Sequence, residues 1–304
     1  MVRTTAAHAG RTVQSVLRAE LQMAQSLLSH LKFVPDAILC DGVPVRLRQT
    51  LRGGEVLCVT IDEVKRGAAA RPAAPALDVL YEDEDIIIIN KEAGIAVHGA
   101  PQHGKATLAD AFAAYWGAER PFRPVSRLDR GTSGLMVAAK NRYIHDRLRM
   151  MLHMDDFHRT YLAVAVGEGL PPSGEVTLPI ARSGEGGYKR AVSKDGQAAH
   201  TVFEVLASGG GCTLLRLTLK TGRTHQIRVH MDALGHPLVG DALYGTKDER
   251  IARPALHSAY LSLLHPTSGE RVTVEAPLPQ DMARLCQMCG FDDKKECADD
   301  GTTL

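Results

Sequence analysis

Residues 127–134 read Arg-Leu-Asp-Arg-Gly-Thr-Ser-Gly. One acid, Asp129, stands between Arg127 and Arg130 and leads into a turn-prone Gly-Thr-Ser-Gly. A lone carboxylate flanked by guanidiniums suits covalent or electrostatic chemistry at an electron-poor carbon, on a substrate that is itself an anion. Taken alone, the triplet reads equally well as a surface ion pair at a loop. Two further segments bear on the choice. HRTYLAVAVG, residues 158–167, opens an apolar strand at Tyr161; KTGRTHQIRVHMDALGHPLVGDALYG, residues 220–245, is dense in polar groups that helices rarely bury. On a helix after Gly222, positions 224, 228 and 231 share one face, so Arg228 can point into a shared cleft.

The elements that must position these residues follow from periodicity. Leu17, Leu21, Ala24, Leu28 and Leu31 fall at helical spacing, which predicts one or two short amphipathic helices over 13–32. Residues 38–61 are short β-prone runs broken at Asp41-Gly42 and Gly53-Gly54. Two small helices and a tight meander resemble the S4 RNA-binding domain, whose pattern Leu39, Gly42, Val45, Leu51, Gly54, Glu55, Val56 and Val59 fit. A small α+β cap on the main domain is the plainer alternative. Its basic residues are chiefly Arg18, Lys32, Arg46, Arg48 and Arg52. Residues 1–12 are expected to be disordered. Residues 64–76 have linker composition, and the acidic tail 292–304 is expected to be mobile. From Leu77 to 291, strands in runs with interleaved helices predict an α+β domain on a mixed or antiparallel sheet. Strands are expected at 86–90, 134–140, 159–167, 201–206, 212–220, 256–265 and 271–275. Helices are expected at 107–116, 141–154, 224–234 and 281–289.

Composition bounds the rest. The chain has 304 residues, is 44% hydrophobic and 23% charged, and carries a net charge of +1, an ordinary soluble globular profile with room for about two domains. Residues 120–160 nevertheless hold nine Lys/Arg against four Asp/Glu, a basic stripe suited to phosphates. No apolar run approaches a membrane span and no export signal is evident, so a cytoplasmic protein with reduced thiols is expected. Cys286 and Cys289 with Cys297 lack a fourth ligand, and His225 and His230 are five apart, off the helical spacing of zinc ligands. No GxGxxG or GxxxxGK[ST] occurs, so neither a nucleotide cofactor nor a metal is expected.

The ordered segments resemble the RluA-type family of RNA pseudouridine synthases. The family's blocks are an HRLDxxTSG-like run, (K/R)xYLA, GRxHQIRxH and LGHPLxGDxxYG. All four occur here in order, and the resemblance spans about residues 77–290. Ser126 stands where His is usual, and Arg159 where Lys is frequent. The resemblance implies a pseudouridine synthase fold, an isomerase needing no cofactor, and RNA as partner, with the protein acting as a monomer. It implies Asp129 as the catalytic carboxylate, either attacking the anomeric carbon or removing the 2′ proton to give a glycal. It implies Arg228 as the ion-pair partner of Asp129, Tyr161 against the target base by stacking or in proton transfer from carbon 5, and Leu256 walling the pocket. Arg127 is the candidate to fill the vacated stack or hold a flanking phosphate, and Arg130 and Arg223 join it as RNA-binding residues. Large-subunit ribosomal RNA is the expected substrate, with transfer RNA the alternative. A non-catalytic RNA-binding assembly factor is a second reading. A hydrolase is a third; it would want a second carboxylate, for which only Asp232 and Asp241 are at hand.

Overall fold

The computed structural model describes residues 1–61, 74–99, 106–117, 120–152, 154–184 and 188–291. The expected linker lies almost wholly outside these residues, as do the acidic tail and Cys297.

The N-terminal part comprises β1 (Val2–Arg3), α1 (Val13–Glu20), α2 (Gln25–Leu31), β2 (Ile38–Cys40), β3 (Val43–Pro44) and β4 (Val56–Val59). Its sheet runs β1-β4-β2-β3. The two helices and the meander sit where the leucine spacing and the Gly turns place them. Thr12 caps α1 by accepting the backbone N–H of Ser15. Val16, Leu17, Leu27, Leu28 and Leu57 fill a core of their own. The extreme N-terminus differs from expectation. Val2 pairs with Leu57, and the Thr4 hydroxyl and amide both reach the Glu55 carbonyl at 2.8 Å. Residues 1–12 are therefore not disordered: a two-residue edge strand has no pattern of its own and is defined by its partner.

The larger part is built on one mixed sheet. Its strands are β5 (Val79–Glu82), β6 (Ile86–Lys91), β7 (Arg123–Pro124), β8 (Ser133–Ala139), β9 (Phe157–Val166), β10 (Ser173–Val176), β13 (Thr201–Gly209), β14 (Cys212–Leu219), β15 (Leu256–Leu264) and β16 (Arg271–Glu275). A separate ribbon pairs β11 (Ile180–Arg182) with β12 (Arg190–Val192). Helices are α3 (Leu108–Trp116), α4 (Arg142–Met151), α5 (Gln226–Ala233) and α6 (Gln280–Met288). The main path runs β10-β13-β14-β9-β15-β8-β6-β5. β15 and β8 are parallel, whereas the other pairings are antiparallel.

The isoleucine run of β6 shows how sequence becomes layers. Ile87 and Ile89 join the core under α3, while Ile86 and Ile88 join the core under α4, as the two-residue period of a strand requires. The α3-side cluster also holds Leu128, Tyr161, Leu217, Ile227 and Leu256, and so floors a cleft on that face. At the centre, β15 changes neighbours. His257 and Ser258 pair with β8, and a bulge between Ser258 and Tyr260 hands the strand on to β16. Bulges of this kind re-aim side chains at a sheet's functional face. Gly134 makes the junction possible, because its φ is 107° and any Cβ would run into the backbone of Ser258.

Candidate active site

A cleft of about 660 Å³ opens over the β8–β15–β9 junction, lined among others by Arg127, Asp129, Arg159, Tyr161, Arg228 and Leu256. Arg130 and Arg223 border it too, so the seven candidate catalytic and RNA-binding residues meet at one place. Among the described lining residues, Asp129 is the one acid.

The loop carrying Asp129 is held from below. Gly94 N–H donates to the Arg130 carbonyl at 2.7 Å, and Arg130 Nε returns a bond to the Gly94 carbonyl at 2.8 Å. Arg130 therefore spends part of its guanidinium fixing the loop. Buried Lys91 donates to the carbonyls of Glu92 (2.8 Å) and Ile95 (3.0 Å). Burial, with help from nearby Arg253, pushes its ammonium down to about 8. Arg253 in turn grips Asp281 of α6 through Nε (2.6 Å) and Nη2 (2.7 Å) and donates Nη1 to Gly131 and Leu256 carbonyls. The Ser133 hydroxyl lies 3.0 Å from His257 Nδ1, and His257 Nε2 lies 3.3 Å from the Ala276 carbonyl. The Thr132 N–H donates to the Asp129 carbonyl at 3.1 Å, so Thr132 and Ser133 shape the loop.

Burial pushes the His257 imidazole down to about 4, whereas an unfolded histidine titrates near ~6.5. The folded state therefore resists that proton. The contribution to stability is complete above pH ~6.5 and is lost as pH falls from there towards about 4. A shift of this size amounts to about 3 kcal/mol. Urea unfolding should show stability dropping through that window, and His257→Gln should flatten the drop; an equally steep dependence in the variant would remove His257 as its cause.

Arg228 is placed by the helix that the sequence predicts, but its main partner differs. Arg228 Nη1 donates to Asp129 Oδ2 at 3.3 Å. Its Nε and Nη2 make the tighter, two-pronged bond to Asp241, at 2.6 and 2.8 Å. Asp241 is 0% exposed and also accepts the N–H groups of Leu243 and Tyr244. The Arg228 guanidinium lies 4.9 Å from the Tyr244 ring centroid. In the sequence Asp241 stands only as a spare acid; in the fold it is fully engaged in aiming Arg228.

His225 is a second residue whose part the sequence does not show, since its spacing speaks only to metal binding. It sits in left-handed backbone, φ 59°, at the start of α5, with Nε2 3.8 Å from Asp129 Oδ2 and Nδ1 2.8 Å from the Tyr244 hydroxyl. Burial lowers its pKa. In the tautomer protonated at Nε2, the ring accepts from Tyr244 at Nδ1 and turns its Nε2–H toward Asp129. The rest of the HQIRVH run locks the helix. Gln226 makes four hydrogen bonds, to Thr221, Arg223, His200 and Thr201, and His230 bonds Thr201 and the Leu178 carbonyl at 2.9 Å each.

Tyr161 stands opposite Ser258 of β15 and Leu217 of β14, beside the bulge. It is buried, and burial raises its phenol pKa. A neutral phenol stacks on a base and donates a hydrogen bond. Leu256 is buried two register pairs away, opposite Ala163. Arg127 is exposed at the rim, and Arg223 donates Nε to the Ala198 carbonyl at 2.9 Å. Cys286 on α6 and Cys289 at its C-terminal end are buried in a hydrophobic core cluster. Among the described residues, no helix is long and apolar enough to cross a membrane.

A family profile described as RNA pseudouridylate synthase matches residues 85–233. The chain is 38% identical over 269 residues to the uncharacterized RNA pseudouridine synthase YjbO of Bacillus subtilis, covering 88% of this chain and 95% of that one. The protein belongs to the RluA-type family of RNA pseudouridine synthases. This pseudouridine synthase is also 40% identical over 296 residues to ribosomal large subunit pseudouridine synthase D of Xanthomonas campestris, covering 91% of this chain and 88% of the relative. Its fold matches human RNA pseudouridylate synthase domain containing 1, with a TM-score of 0.56 and 26% identity over 70% of this chain and 94% of that one. The synthase is accordingly an isomerase on an α+β fold with a mixed sheet.

Proposed function

We propose that the enzyme converts specific uridines of large-subunit ribosomal RNA to pseudouridine, with Asp129 as the carboxylate that acts at the ribose. The observation that carries the reading is the position of Asp129: the one acid among the described residues lining the cleft, with Arg228 and His225 both on Oδ2. Among the described residues both partners take Oδ2, which leaves Oδ1 for substrate. The anomeric carbon turns electron-poor as the glycosidic bond weakens, and a fixed anion beside it lowers that barrier either as a nucleophile or by taking the 2′ proton. The target uridine must leave its stack to reach this depth. Arg127, exposed at the rim, is suited to fill the gap or hold a phosphate, with Arg130 and Arg223 beside it; Tyr161 and Leu256 would wall the base. The hydrolase alternative loses its second carboxylate, because Asp241 is sealed against Arg228 and Asp232 lies exposed on α5. The substrate class rests on relatives named for the large ribosomal subunit.

The test is release of tritium from carbon 5 of labelled uridine, on large-subunit ribosomal RNA against bulk transfer RNA. Release from the ribosomal pool supports the reading. Release from transfer RNA alone overturns the substrate class, and release from neither overturns the activity on free RNA.

The domain assignment belongs to the same proposal: residues 1–63 as an S4-like RNA-binding domain, 64–76 as linker and 77–291 as the catalytic domain. Arg18, Lys32, Arg46, Arg48 and Arg52 are all exposed. Changing Arg46, Arg48 and Arg52 to Gln should weaken RNA binding and make its salt dependence shallower by about 0.7 for each phosphate no longer neutralised. An unchanged slope by filter binding would take those residues out of the RNA interface.

A further inference from the structure

Arg159 is 4% exposed. It lies two residues before Tyr161 on β9, so both side chains leave the sheet on one face, and both line the cleft. Its Nε and Nη2 are buried without a hydrogen-bond partner. The guanidinium packs beneath Gly222, where a Cβ would stand 3.3 Å from Nη1. Its carbon lies 5.7 Å from the Phe157 ring centroid, an approach that offsets some charge but satisfies no N–H. Among the described residues no carboxylate pairs with it; Asp129 and Asp241 are both partners of Arg228. A cation held this way is strongly unfavourable for folding. Such a group belongs to a site that supplies its partner when substrate binds.

We propose that Arg159 receives a carbonyl oxygen of the target uracil and stabilises the charge that the base carries while it is detached. The proposal rests on the reading of Asp129 as the group acting at the ribose. When the N1–C1′ bond breaks, its electron pair stays on the base, giving a uracil anion with charge spread over N1, O2 and O4. The C5–C1′ bond then forms from the base's electrons, the proton on C5 is lost and N1 gains one; nothing is oxidised or reduced. Charge on an exocyclic oxygen during this interval is what the unpartnered guanidinium of Arg159, a residue that lines the cleft, would meet. Electrostatic stabilisation of this kind acts only while the charge exists, so it raises the rate more than the affinity. A backbone phosphate is the poorer fit. It would have to be drawn to the depth of Tyr161, although exposed Arg127 and Arg130 stand at the rim.

The test compares Arg159→Met and Arg159→Lys with wild type in single-turnover tritium release, RNA affinity and Tm, with Asp129→Asn alongside. Met keeps the length and removes the donors. Its rate should fall about 10²- to 10³-fold, with affinity within about threefold and Tm equal to or above wild type, since an unpaired buried charge is gone. Lys should restore part of the rate. A Met variant at the wild-type rate beside an inactive Asp129→Asn overturns this proposal alone. A lowered Tm for Met overturns it in favour of a structural role, and weakened affinity with an intact rate overturns it in favour of phosphate binding. An active Asp129→Asn overturns the reading on which it rests.

Discussion

Asp129→Asn should cut tritium release by on the order of 10³-fold or more while RNA affinity stays within a few-fold of wild type. The geometry makes this a clean substitution. Asn keeps the shape of Asp and loses the charge. Arg228 does not depend on Asp129 for its position, because Asp241 holds it by two bonds of 2.6 and 2.8 Å against the single 3.3 Å bond to Asp129. The Asn amide oxygen can still accept from Arg228 Nη1. The Asp129 side chain is 25% exposed, so its neutralisation leaves no sealed charge stranded. Loss of rate with a normal unfolding transition and normal binding therefore isolates the carboxylate's chemistry. A rate within tenfold of wild type would give the reaction to another group, and a large loss of affinity would make Asp129 a binding residue.

Much of this site is legible in the sequence, for reasons that differ residue by residue. Asp129 and Tyr161 stand out because block order survives even where tertiary packing is unknown. The direction of Arg228 follows from helical period, which is local. The clamp on Arg228 is not legible. Asp241 lies 13 positions on, beyond the helix and a turn, and a sequence shows that an acid is present without showing that it is already spent. Arg159 is the converse case, since its charge is plain in the sequence but its lack of a partner is a property of packing. The main strands announce themselves by apolar runs. β1, β7 and the β11–β12 ribbon do not, being two or three residues long, too short for any alternation and fixed only by what they pair with. Gly134 reads as a turn residue; its necessity comes from the backbone of Ser258, 124 positions away.

Asp241→Ala should be the most damaging single change to stability. It strips four donors of their acceptor: Arg228 Nε and Nη2, and the N–H groups of Leu243 and Tyr244. Breaking a buried pair from one side typically costs about 3–5 kcal/mol, because the surviving charge stays buried. For a chain of this size that lowers Tm by on the order of 10 °C. Arg228 would also lose its aim, so the rate should fall even below the temperature at which the variant unfolds. The double variant Arg228→Met with Asp241→Leu separates the two effects. With both charges gone, the penalty for a stranded ion disappears, so its unfolding free energy should lie closer to wild type than that of either single change. Its activity should stay lost, because nothing then orients Asp129 through Nη1. Two singles whose costs simply add in the double would mean that the Arg228–Asp241 pair is screened by water and that the helix is held chiefly by Gln226 and His230. Recovery of stability without recovery of rate would assign the pair its place: Asp241 keeps Arg228 from moving, and Arg228 keeps Asp129, the proposed catalytic carboxylate, in register with the ribose.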